Sequence, residues 1–159
     1  TYSEMNFIQG AVMLINKSNT YSKKIRFDKN IFLYWEETDY SKRASKNGYK
    51  AYQLNVVKVK HEKGKAVKTS NLKEKNKLEN LYTWHFIWSK YYYFDKHYGK
   101  FLSLIYFTPI IIRILFRMTL YKLIKSNKFI KYYCRWDGLK NSVLGKKSSM
   151  RLNKIPFKL

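Results

Sequence analysis

The chain has 159 residues, enough for one ordinary domain and too few for two large ones. Hydrophobic residues make up 45% of it, which excludes wholesale disorder and permits a packed core. Lysine and arginine number 33 against 10 aspartates and glutamates, and the formal charge of +23 favours polyanionic partners: nucleic acid, an anionic membrane surface or phosphorylated substrates.

In chain order, residues 8–16 (IQGAVMLIN) are a short apolar run with β-branched members, which predicts a buried strand. Gly10 at its start predicts a bulge or a close backbone approach. Residues 17–30 are polar and irregular, one helical turn followed by a loop. A helix is predicted from Glu36 to Asn47. Glu36, Glu37 and Asp39 fall in its first turn, where the helix dipole favours negative charge. Lys42, Arg43 and Lys46 lie toward its end, with Gly48 as the residue that stops it. Asp39 and Arg43 stand four apart in the favourable acid-then-base order.

Residues 49–59 predict a second strand ending just before His61, and residues 60–77 a solvated loop. Helices follow over Leu78 to Tyr98, ending at Gly99, then Phe101 to Lys125, then Phe129 to Trp136; the basic tail from Gly145 onward reads as loose. The character of the chain is thus α/β up to about residue 65 and helical after it.

Composition adds three points. The joint richness in Lys, Asn, Ile, Tyr and Phe is what a biased genome would give, yet part of the charge depends on position: from Leu81 onward only Asp95 and Asp137 are acidic. The single cysteine, Cys134, allows no intrachain disulfide and no Cys/His zinc site, which fits a reducing cytosolic compartment. No signal peptide opens the chain, and its start at Thr1 reads as that of a fragment or a processed chain.

The most informative stretch is residues 27–49, FDKNIFLYWEETDYSKRASKNGY. Gly10 to Ile15, Phe27 and Asp28, Phe32 to Tyr34, Glu36 to Arg43, Gly48 and Tyr49, and His61 to Gly64 form an ordered set. That set resembles the second half of family-two glycosyltransferases of the GT-A fold, in particular the rhamnosyltransferase-like members that build bacterial surface polysaccharide. YYYFDKHYGK and WDGLKNSVLGK resemble the same family's helical tail.

The resemblance implies a partial GT-A (Rossmann-like) acceptor-side half over residues 1–68, followed by a helical, membrane-associating region over 69–159. It implies a nucleotide-sugar donor, a saccharide or polyprenyl-diphosphate-linked acceptor and inversion at the anomeric carbon. Glu37 aligns with the general base of the family motif, where many members carry Asp, and Glu36 is its neighbour toward donor or acceptor. Gly10, Tyr34, Trp35 and Asp39 become candidate acceptor contacts, with Asp39 also readable as the structural partner of Arg43. His61 is a candidate ligand for Mg or Mn. No Asp-x-Asp and no Gly-rich phosphate loop occur, so metal and nucleotide fall mainly to a missing N-terminal half, and this chain alone is expected to be inactive.

Residues 101–112 are a charge-free apolar run, and 12 residues fall short of the about 20 needed to span a bilayer. Arg113, Arg117, Lys122 and Lys125 follow. This pattern predicts a helix lying in the membrane interface, kinked or restarted at Pro109, on the cytoplasmic face. A core or oligomer-contact helix has the same pattern. Two rival functions remain at this level: a basic, aromatic nucleic-acid-binding module, disfavoured because no known nucleic-acid motif is present, and a non-catalytic membrane-associated remnant.

Overall fold

The computed structural model describes residues 1–8, 10–22, 24–61 and 67–155. The chain is mixed but mostly helical, and it divides into two compact units: Thr1–Lys29 with Trp35–Lys68, and Asn30–Tyr34 with Thr69–Leu159.

In the first unit, β1 (Tyr2–Met5) pairs antiparallel with β2 (Ala51–Leu54), Tyr2 opposite Leu54 and Met5 opposite Ala51. The rings of Tyr2 and Tyr52 meet edge to face at 5.1 Å across the ladder. Between the strands lie α1 (Lys17–Ser22) and α2 (Glu36–Lys46). The α2 helix closes as its sequence dictates: Asn47 caps it and Gly48 takes φ +82°, the left-handed conformation glycine adopts without penalty. Arg43 Nε donates to the fully buried Asp39 Oδ2 at 2.8 Å and its Nη2 donates to the carbonyl of Arg26, so one side chain holds both the helix and the preceding loop. Ile25 and Tyr40 are buried nearby, and Phe27 stacks on Tyr40.

A Rossmann-like layer is not present among the described residues, where the only sheet is this two-stranded ladder. Of the strand expected over residues 8–16, the described residues 8 and 10–16 are turn and irregular chain, with Val12 and Leu14 exposed. The second expected strand shortens to β2, leaving Val56, Val57 and Val59 exposed. The physical reason is that a buried strand needs neighbours to take up its N–H and C=O groups. Neither run has such a neighbour among the described residues.

In the second unit α3 (Leu72–Tyr98), α4 (Lys100–Leu123) and α5 (Lys128–Val143) form an up-down-up bundle, followed by a 3₁₀ turn at Leu152–Lys154. The α3 helix begins six residues before the expected Leu78. Asn71 Oδ1 accepts from the Glu74 amide at 2.9 Å, and Glu74 Oε2 reaches back to the Ser70 amide at 2.8 Å. This reciprocal cap is spelled out by the sequence SNLKE. Gly99, at φ +84°, is the single residue between α3 and α4. The α4 helix does not restart at Pro109 but continues through it, with Phe107 and Ile114 on either side buried in the same core.

The α3 helix is the spine. Trp84, Trp88 and Tyr92 stack at intervals of four residues, with centroids 6.5 and 5.1 Å apart. Against it α5 comes unusually close: a Cβ on Gly138 would lie 2.6 Å from the Trp84 carbonyl oxygen and 2.9 Å from Ile87 Cγ2. Trp84 Nε1 donates to Asp137 Oδ2 at 2.8 Å, and Ser142 Oγ donates to the Trp88 carbonyl at 2.9 Å. Cys134 is buried beside them, and burial with Asp137 nearby pushes its thiol up to about 12, making it unreactive.

The tail read as loose is docked as far as Ile155, which is buried with Leu78, Leu81 and Trp84. Trp88 Nε1 donates to the Lys146 carbonyl, and His85 binds both Ser148 Oγ at 2.9 Å and the Met150 carbonyl at 3.1 Å. A carbonyl can only accept, so Nε2 carries the proton and Nδ1 accepts from the Ser148 hydroxyl. Burial of this neutral imidazole lowers its pKa from 6.5 to about 4.

Two outcomes follow. Gly138→Ala gains helix propensity worth about 1 kcal/mol, but it forces a methyl against immovable backbone, an overpacking cost of about 1–3 kcal/mol. The net effect expected in urea unfolding is a loss of stability. For His85 the folded pKa lies below the unfolded one, so the unfolded chain takes up the proton first. The His85 contribution to stability is full above pH 6.5 and is lost toward pH 4, and in His85→Gln the melting temperature should fall less steeply over that window.

Candidate functional site

The acidic start of α2 is built on strained backbone. Tyr34 and Trp35 both have positive φ, 64° and 70°, a conformation that aromatic residues rarely adopt. Each costs of order 1–3 kcal/mol, and such strain concentrates at functional sites. Trp35 is the N-cap; its carbonyl accepts from the Asp39 amide at 2.9 Å and starts the helix, while its side chain makes no cap bond.

Directly after this turn come Glu36 and Glu37, both partly buried. One carboxylate oxygen of each, Oε2, is inaccessible and has no hydrogen-bond partner. Buried polar atoms are normally satisfied, so two orphaned oxygens on consecutive residues are out of the ordinary. Burial raises the pKa of Glu36, and the like charge of Glu37 adds to the rise. Gly10 lies against Glu37: a Cβ built there would sit 3.6 Å from its Cδ, in ordinary contact. Ile8 N donates to Ser41 Oγ at 3.4 Å, tying the chain before Gly10 to α2.

Thus Gly10, Trp35, Glu36 and Glu37 come together at one end of α2. Asp39 lies one turn on and is fully buried in its ion pair with Arg43. Tyr34 belongs to the helical unit. There its ring meets Tyr82 and Phe86 edge to face, and with Thr83 and Arg135 these residues line an open pocket of about 240 Å³. Tyr82 and Phe86 are legible as an aromatic pair four apart on a helix; Arg135 carries no sequence signal that would place it there.

His61 is exposed on irregular chain after β2, and the Gly64 of its expected motif lies outside the described residues. No three His, Cys, Asp or Glu side chains gather among the described residues, at His61 or elsewhere. Arg113, Lys122 and Lys125 are exposed on and just after α4, while Arg117 donates to the Tyr132 hydroxyl at 2.6 Å and lies over its ring.

No protein-family model, curated protein or solved structure matches the chain. The chemistry of the site therefore rests on its own residues.

The Glu36 carboxyl ionises later in the folded state, so its contribution to stability is full below pH 4.5 and is lost as pH rises through the higher folded value. Glu36→Gln should melt at a higher temperature than the parent at pH 7, and differential scanning calorimetry should show that gain shrinking below pH 4.5.

Proposed function

We propose that this chain is the acceptor-side part of a glycosyltransferase that moves a sugar from a nucleotide donor to a lipid-linked or free saccharide, with Glu37 as general base. The nucleotide and its divalent metal would be bound by residues outside this chain, on a GT-A-like half.

The observation that carries the reading is the orphaned carboxylate oxygen of Glu37 behind a strained aromatic turn. A general base needs an oxygen that has no competing partner and that the acceptor hydroxyl can reach. Glu37 Oε2 meets the first condition and is covered in this structure, so the partly buried side chain must turn to present it. In the step itself the acceptor oxygen bonds to the anomeric carbon and passes its proton to Glu37. The bond from that carbon to the donor diphosphate breaks, and the electron pair leaves with the diphosphate. Glu36, also orphaned at one oxygen, would accept a second acceptor hydroxyl or a donor-side amide. Trp35, at the same turn, is the aromatic residue nearest in sequence to the base and would meet a sugar face.

The exposed strand-like runs support the same reading. Val12, Leu14, Val56, Val57 and Val59 are the residue types of buried strands, and a sheet continued by a nucleotide-binding half would cover them.

The test is Glu37→Gln in the polypeptide that includes the donor-binding half. Turnover should fall by about 10²–10⁴-fold, the usual contribution of a positioned base. Donor affinity and melting temperature should hold, because the replaced oxygen makes no bond in the resting fold. A variant that keeps turnover within a few-fold of the parent removes the base assignment.

A further inference from the structure

The α4 helix has two apolar faces. Its inner face, with Ser103, Phe107 and Ile114, is buried against α3 and α5. Its outer face carries Phe101, Ile105, Ile112, Phe116 and Leu123, between 56% and 75% exposed. At about 100° per residue, the spacings of four and seven place these five side chains along one line from end to end of the helix. Arg113 and Arg117 lie about a quarter to a third of a turn to one side of that line. Lys122 and Lys125 stand around its C-terminal end, and all four are exposed.

We propose that this outer face docks in plane on an anionic lipid bilayer, the apolar line entering the acyl boundary and the flanking cations meeting phosphate headgroups. Charge selects this occupant. A second copy laid on the same face would bring two basic flanks together, whereas an anionic bilayer neutralises them. From Leu81 to the end of the chain only Asp95 and Asp137 could repel it, and Asp137 accepts from Trp84 in the interior.

By length and composition α4 could also cross a membrane, with a mean hydropathy of 1.7 over its best window. Spanning would require it to strip Phe107 and Ile114 from the core they share with Tyr91 and Leu139, or to carry the charged helices α3 and α5 into hydrocarbon. Lying in plane keeps every one of those contacts.

This inference does not rest on the transferase reading, since lipid binding is measured without turnover. The experiment is flotation of the chain with vesicles of phosphatidylcholine alone and of phosphatidylcholine mixed with phosphatidylglycerol. The parent should float with the mixed vesicles, more weakly as salt rises, and alkaline carbonate should release it. Ile112→Glu with Phe116→Glu, both at exposed positions, should weaken binding roughly tenfold or more while leaving the circular-dichroism melt in place. Arg113→Gln with Lys122→Gln should remove the preference for the anionic vesicles. Four results would overturn the proposal: undiminished flotation of the double-Glu variant, resistance to carbonate, self-association through α4 with no flotation, or retention on duplex DNA with no flotation.

Discussion

The close crossing of α5 over α3 at Gly138 is the constraint on which the helical unit depends. With no side chain at 138, the α5 backbone reaches the Trp84 carbonyl, and that approach brings Asp137 to the Trp84 indole and Ser142 to the Trp88 carbonyl. The stacked Trp84, Trp88 and Tyr92 then present a fixed surface to two further pieces of chain. Residues 146–155 run back along it through Trp88 and His85, and residues 30–34 dock through Ser89, whose hydroxyl donates to the Leu33 carbonyl at 2.8 Å. Arg151 lies over the Phe32 ring at 4.1 Å, so these two segments also hold each other. Because α3 is covered on several sides, it shows no single apolar face.

The first unit is held differently. Its core is small, resting on Ile25, Tyr40 and the Asp39–Arg43 pair, and it leaves much strand-type sequence exposed. Within this modest frame it keeps the left-handed Trp35 and two carboxylate oxygens without partners. Each of these features costs stability, and none is needed to form α2, whose N-terminus would be served better by a Ser or Asp cap than by Trp35. Such local departures from the rules of stable folding are where a reacting or binding site is expected.

The basic residues follow the same division between structure and function. Lys90 is taken up inside the bundle, 5.3 Å from the Tyr106 ring, and Arg117 is bound to Tyr132. Arg113, Lys122 and Lys125 remain at the surface around an apolar line that the bundle does not use. A large positive charge is thus partly spent on aromatic staples within the fold and partly displayed.

Local sequence determined the elements whose causes are local. The α2 boundaries, its Gly48 stop and its Asp39–Arg43 pair were all legible, because capping, dipole and four-residue spacing involve adjacent residues. So was the break at Gly99, and the early start of α3 is equally written in SNLKE. The acidic pair Glu36–Glu37 was legible as a candidate site, whereas its orphaned oxygens and the strained turn before it were not. Only the tertiary structure decided that residues 10–16 are not a strand, that the basic tail is docked as far as Ile155, and which side of α4 faces outward. Those outcomes depend on partners fifty or more residues away, such as Lys146 for Trp88 or Leu33 for Ser89, and on whether a neighbouring strand exists at all. An apolar run specifies that it must be covered; what covers it is a property of the assembled fold.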